Sequence, residues 1–156
     1  YDFTVVAPGI NGKINEVIAS FGLLQLKYID QLLQKRAAID ARYRALLQGV
    51  KGIRCLPQTA QKKCNYAYFA VLVGDEYPIS RDDLHFRLKN IGINGRRYFY
   101  PLISDFPMYR GLQSARKDNL PVASEATRQV LCLPIYPDLQ VVEVEQICDF
   151  ISSQKT

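Results

Sequence analysis

An α+β layer, a small and mostly antiparallel sheet with helices on one face, is the fold class this sequence predicts. Three observations predict it. A helical apolar pattern of unusual length fills the first third of the chain. Short apolar runs rich in aromatic and β-branched residues, YAYFAVLV at 66–73 above all, have the length and composition of strands. Between and after them come stretches with their own helix start and stop signals. The predicted order is helix, strand, strand, helix, strand, loop, helix, strand, helix, with no internal repeat.

Each element follows from its residues. Gly9-Ile10-Asn11-Gly12 is a turn, two glycines flanking an Asn, residue types that tolerate positive φ. From about Lys13 to Gln48 apolar residues recur in steps of three and four, from Ile14, Val17, Ile18, Phe21 and Leu24 through to Ile39, Tyr43 and Leu47. Asn15 and Glu16 suit the positive end of that helix, and Gly49 its stop. At 1.5 Å per residue it is about 50 Å long. It is therefore expected to protrude, or to kink near Gly22, and its apolar face needs a partner surface. Ile53 to Leu56 reads as a strand closed by Pro57, and Tyr66 to Val73 as a buried strand. Ser80 caps a helix with Asp82 and Asp83 in its first turn, Leu84, Leu88 and Ile91 inward, and Gly92 at its end. Ile93 to Tyr100 is the next predicted strand, halted by Pro101. An irregular stretch runs from Ile103 to Leu120, and loops of that length are often functional. Pro121 opens a helix to about Gln129. Val130 to Pro134 is a strand, and after the Pro137-Asp138 turn a last helix, Val141 to Ser152, turns Val144, Ile147, Cys148 and Ile151 inward.

Composition narrows the function classes. The 156 residues are 48% hydrophobic and 22% charged, a globular balance. No apolar run approaches the roughly 20 residues of a membrane-spanning helix. No export signal is visible, and the chain opens on Tyr1 rather than Met, which reads as a fragment boundary. Cys55, Cys64, Cys132 and Cys148 lack C-x-x-C spacing and sit in apolar segments, so they are expected to be small buried thiols of a protein in the reducing cytoplasm. His85 stands alone mid-helix, with no nucleophile pattern and too little company for a metal site. The net charge of +5 is scattered in short pairs, Arg96-Arg97 among them, which argues against a nucleic-acid stripe. It suits an anionic small-molecule substrate as well as an ordinary solvated surface.

No self-sufficient catalytic set appears: there is no phosphate-binding P-loop, dinucleotide fingerprint, nucleophile elbow or zinc-protease motif. Two segments stand out. Gly9 to Glu16 is a glycine-rich turn into a helix. Amides at a helix start attract phosphate, to which Asn11 adds a donor and Lys13 a charge, and a simple helix cap explains the same residues. Asn94 to Leu102 (NGRRYFYPL) is the second. Strand alternation there puts Arg97, Phe99 and Pro101 on one face and Arg96, Tyr98 and Tyr100 on the other. Guanidinium and phenol groups suit a diphosphate and a sugar, and an edge strand with exposed arginines is the plainer reading.

These two segments, with the stretches between and after them, resemble the C-terminal part of the DegT/DnrJ/EryC1/StrS family of pyridoxal-phosphate enzymes that aminate keto groups on nucleotide-linked sugars. The matching stretches are GINGKINEVIASFGLLQL, YIDQLLQKRAAIDARYRALL, NYAYFAVLV, SRDDLHFRLKNIGINGRRYFYPL, LPVASEATRQVLCLPIYPDL and VVEVEQICDFI. The resemblance implies the fold type I aminotransferase fold: residues 1–48 as the end of the large domain and the long interdomain helix, and 49–156 as the small C-terminal domain. It implies a homodimer in which Asn11 of the G-x-N-x-K/R motif (Gly9, Asn11, Lys13) reaches the cofactor phosphate of the neighbouring subunit, with Lys13 a further cofactor-binding residue. Arg97, Tyr98 and Tyr100 would line the nucleotide-sugar site. The Schiff-base lysine of the family lies upstream of this region, so the chain alone is expected to be inactive. Glutamate would be the amino donor, and dTDP-4-keto-6-deoxyglucose is the substrate that YFYPLIS suggests. Where many members carry a His after Pro-Leu, Ile103, Ser104 and Asp105 stand here. A dehydratase of the same family and a non-catalytic binding domain are the alternatives.

Overall fold

The computed structural model describes residues 12–58 and 63–155. Its elements are α1 (Glu16–Leu26), α2 (Ile29–Leu47), β1 (Ile53–Cys55), β2 (Phe69–Val73), α3 (Arg81–Asn90), α4 (Pro121–Gln129), β3 (Val130–Leu133) and α5 (Val141–Ser152). Three single-turn 3₁₀ helices lie between α3 and α4. The strands form one antiparallel sheet in the order β1-β2-β3, with Ile53 opposite Val73 and Phe69 opposite Leu133.

Period-2 alternation divides the sheet into two faces. Phe69, Val71, Val73, Leu131 and Leu133 point into the main core. There they meet Ile39, Tyr43 and Leu47 of α2, Leu84 and Leu88 of α3, and Val144, Ile147 and Ile151 of α5. The Tyr43 and Phe69 rings stack at 4.7 Å between centroids. The opposite face is smaller: Leu72, Val130 and Cys132, with Ala70 and Tyr98 packed against them. The α+β layer is therefore as expected.

Local chemistry sets the ends. The Asn15 side chain accepts from Ile18 N–H, Ser80 Oγ accepts from Asp83 N–H, and Gln140 and Glu143 form a reciprocal capping box. Gly49 and Gly92 take φ of +81° and +82° just past their helices. Asp40 is buried and accepts from Arg44 Nε (2.7 Å) and Gln58 Nε2 (2.6 Å), while Arg44 also donates to Leu56 O. These bonds tie α2 to the chain leaving β1.

Several expectations are corrected. The first helix is two helices, and the break falls at Lys27–Tyr28, not at Gly22. Lys27 and Tyr28 N–H groups bond back to Leu24 and Gln25 carbonyls at i−3, which tightens and closes α1. β2 begins at Phe69 because Tyr66, with φ of 48°, cannot continue an extended strand. No strand forms over 93–100. Arg96 alone bridges to Cys132; the Gly95 N–H turns back to Ile93 and the Tyr100 N–H to Arg97. Ile91 lies beyond the last turn of α3 and is exposed, and Cys64 is exposed, not buried. Among the described residues no helix is long and apolar enough to cross a membrane. α1 buries none of its residues, and Val17, Phe21 and Leu24 are 76%, 59% and 54% exposed.

Candidate functional site

The α3 N-terminus and the chain after Gly95 build the most concentrated polar cluster. Ser80 starts α3, and Arg81 and Asp82 stand in its first turn. Arg81 is 5% exposed. It donates from Nε to Asp82 Oδ1 (2.8 Å) and from one terminal nitrogen to the Thr127 and Val130 carbonyls (3.0 and 2.8 Å). Arg97 donates to the same Asp82 oxygen at 3.0 Å. The Tyr100 ring lies 5.2 Å from the Arg81 guanidinium and 5.1 Å from that of Arg97. Thr127 Oγ1 donates to Phe99 O at 2.7 Å, fastening the segment to α4.

The site residues expected from the sequence therefore divide. Arg97 and Tyr100, placed on opposite faces by strand alternation, are brought together because no strand forms there. Tyr98 pairs instead with Arg96, whose guanidinium lies 5.3 Å from its ring. It sits over the small sheet face beside Cys132. Two clefts result. One, of about 590 Å³, has Arg96, Tyr98, Tyr68 and Arg36 in its wall. The other, of about 830 Å³, is bordered by Arg81, Asp82, Tyr100, Lys117 and Thr127. Lys13 is exposed, ahead of the Asn15 cap, and Asn11 lies outside the described residues.

No motif in the local sequence singles out Arg81, and Asp82 reads there as a helix-start charge. One signal was available. A cation in the first turn of a helix opposes the helix dipole, so it needs another reason to be there. That reason is the C-terminal end of α4, whose carbonyls it binds. His85, one turn further along α3, has a buried Nδ1 without a hydrogen-bond partner among the described residues. Desolvation, with Arg97 nearby, holds its imidazole below the ordinary range.

Two effects compete at Asp82. Burial raises its pKa, and the Arg97 hydrogen bond with the charges of Arg81 and Arg97 outweighs it, leaving the carboxyl below its ordinary value. A carboxyl depressed in the folded state adds stability above its unfolded pKa, about 3.9. That stability is lost as pH falls through the lower folded value. Asp82→Asn should therefore narrow its stability deficit against the parent between pH 5 and pH 2, as read from urea midpoints; a constant deficit would contradict the assignment.

Known proteins resemble this chain over most of its length. The model of the DegT/DnrJ/EryC1/StrS aminotransferase family matches residues 2–152. A dTDP-4-amino-4,6-dideoxy-D-glucose transaminase of Escherichia coli is 52% identical over 138 residues, 88% of this chain and 37% of that protein. One of Shigella dysenteriae is 42% identical over 147 residues, 94% of this chain and 40% of that protein. The structure of S. venezuelae DesV with a ketimine intermediate superposes with a TM-score of 0.82 at 24% identity, over all of this chain and 41% of that one, a likeness of fold. The chain thus spans about two fifths of the relatives it matches.

Proposed function

The chain belongs to the DegT/DnrJ/EryC1/StrS aminotransferase family, and on that basis we propose that it is part of an enzyme exchanging the 4-keto group of dTDP-4-keto-6-deoxyglucose for an amino group taken from glutamate. The observation that carries this reading is the 52% identity to a transaminase named for that amino sugar. Residues 1–48 are proposed as the end of a large domain with the interdomain helical segment, and 49–156 as the small C-terminal domain. Arg97, Tyr98 and Tyr100 are assigned to the nucleotide sugar: guanidinium for the diphosphate, phenol hydroxyls and ring faces for the sugar and base. Asn11 and Lys13 are assigned to the cofactor phosphate of a second subunit. The uncovered apolar surface of α1 supports an identical partner, since contiguous exposed apolar area marks an interaction surface. A cytoplasmic setting is proposed with it, in keeping with four free thiols.

Pyridoxal phosphate supplies the electron sink in enzymes of this kind. The described residues do not by themselves fit it. A Schiff-base lysine needs a desolvated or charge-tuned setting, and every described lysine is exposed. Asp40, buried and suited in type to a pyridinium, is already taken by Arg44 and Gln58. The proposed contribution of this chain is thus recognition, with the covalent chemistry assigned to another segment. Titration of the isolated chain with pyridoxal phosphate should give no stoichiometric absorbance change; a saturating change at one equivalent would place a cofactor lysine here. The complete polypeptide, given dTDP-4-keto-6-deoxyglucose, glutamate and the cofactor, should yield the 4-amino sugar by mass spectrometry. Unchanged keto sugar would sink the substrate assignment.

A further inference from the structure

We propose that Arg81 is a positioning residue, the anchor that sets where the Tyr100 ring and the Arg97 guanidinium stand. The inference rests on the assignment of Arg97 and Tyr100 to substrate only for what the positioning serves. Its geometry is independent of it.

Three observations carry it. First, Arg81 is fixed from below: its buried guanidinium holds two carbonyls, Thr127 and Val130, at the junction of α4 and β3. A charged donor there satisfies groups that a helix end leaves open, so the side chain has one favoured place. Second, the outward parts of the same group meet the site: Nε holds Asp82, and the guanidinium lies against Tyr100. Third, Asp82 passes the constraint on, because the oxygen that accepts from Arg81 also accepts from Arg97. The Tyr98–Leu102 segment carries no strand hydrogen bonds of its own. Its position is held by side chains: Arg81 and Asp82 on one side, the Thr127–Phe99 bond on the other, and Tyr98 packed on the small sheet face.

Direction of control distinguishes positioning from mere packing. Arg81 has backbone anchors that do not depend on Tyr100; the Tyr100 ring rests on the guanidiniums of Arg81 and Arg97, and Arg97 is itself tied to Arg81 through Asp82. The test is NMR of the chain labelled in tyrosine rings, carboxylates and arginine Nε–H, without substrate, so it stands apart from the substrate assignment. In Arg81→Gln, the Tyr100 ring signals should move toward free-tyrosine positions and the Asp82 carboxyl should titrate at higher pH, while Leu84 and Leu88 methyl signals stay. Arg81→Lys, which keeps the charge but not the fork, should recover part of both shifts. Unmoved Tyr100 and Asp82 signals in a folded Arg81→Gln chain would overturn the proposal. If that variant does not fold, Tyr100→Leu decides: the Arg81 Nε–H should keep its shift and slow exchange, and its collapse to solvent exchange would show that the ring holds the arginine and not the reverse.

Discussion

Replacing Phe69 with Ala should cost about 3–5 kcal/mol of folding stability, the largest loss expected from truncating one side chain here. The ring is 1% exposed at the centre of the sheet face that meets α2 and α5. It stacks on Tyr43, itself fully buried, and lies 5.5 Å from the Arg44 guanidinium. Removing it empties a space that three elements enclose and that none can close without leaving its own contacts. Urea unfolding followed by circular dichroism measures it; a midpoint within error of the parent would mean that the core repacks around the hole. Tyr43→Phe is the control. The Tyr43 hydroxyl is buried without a hydrogen-bond partner among the described residues, so losing it should cost nothing or stabilise slightly.

Gly52→Ala should be comparably severe for a backbone reason, about 2–5 kcal/mol from the left-handed conformation and the displaced chain together. Gly52 has φ of +78°, and a Cβ there would lie 2.2 Å from the Tyr77 nitrogen and 2.5 Å from its Cα. Those are main-chain atoms and cannot swing aside. The Gly52 carbonyl also accepts from Gly74 N–H at 2.8 Å, and Tyr77 N–H returns to the Gly74 carbonyl, so the entry to β1 and the turn after β2 are interlocked. Burial pushes the Tyr77 phenol up to about 12, and its hydroxyl donates to the Ile151 carbonyl, extending the same tie to α5. Thermal unfolding of Gly52→Ala beside Gly49→Ala separates causes: Gly49 has a similar φ with open space around it, so the excess loss at Gly52 is the collision. Equal losses would remove the collision from the account.

The elements that could be read from the sequence are those fixed by local chemistry. Ser80, Pro121 and Gly92 sit at ends where their own side chains or torsions decide the matter. Leu84, Leu88, Val144, Ile147 and Ile151 follow the helical period into the core. What was not legible is set by partners distant in the chain. The 93–100 segment has strand composition, but only one β3 residue, Cys132, pairs with it. Arg97 and Tyr100 are adjacent because Arg81 and Asp82, at least 15 residues earlier, gather them, and no short-range pattern encodes that. The Lys27–Tyr28 break leaves the apolar period almost undisturbed, so the pattern runs across it.

α1 is 11 residues long, and a helix of that length is marginal in water even with favourable residues. Its stability must then come from whatever covers it. Given the proposed partner subunit, α1 and the residues at its start would gain stability on association. Dilution below the dissociation constant would therefore loosen α1 before the sheet and its core unfold. Amide exchange would show it as rapid labelling of α1 beside slow labelling of β2, with the gap closing as protein concentration rises.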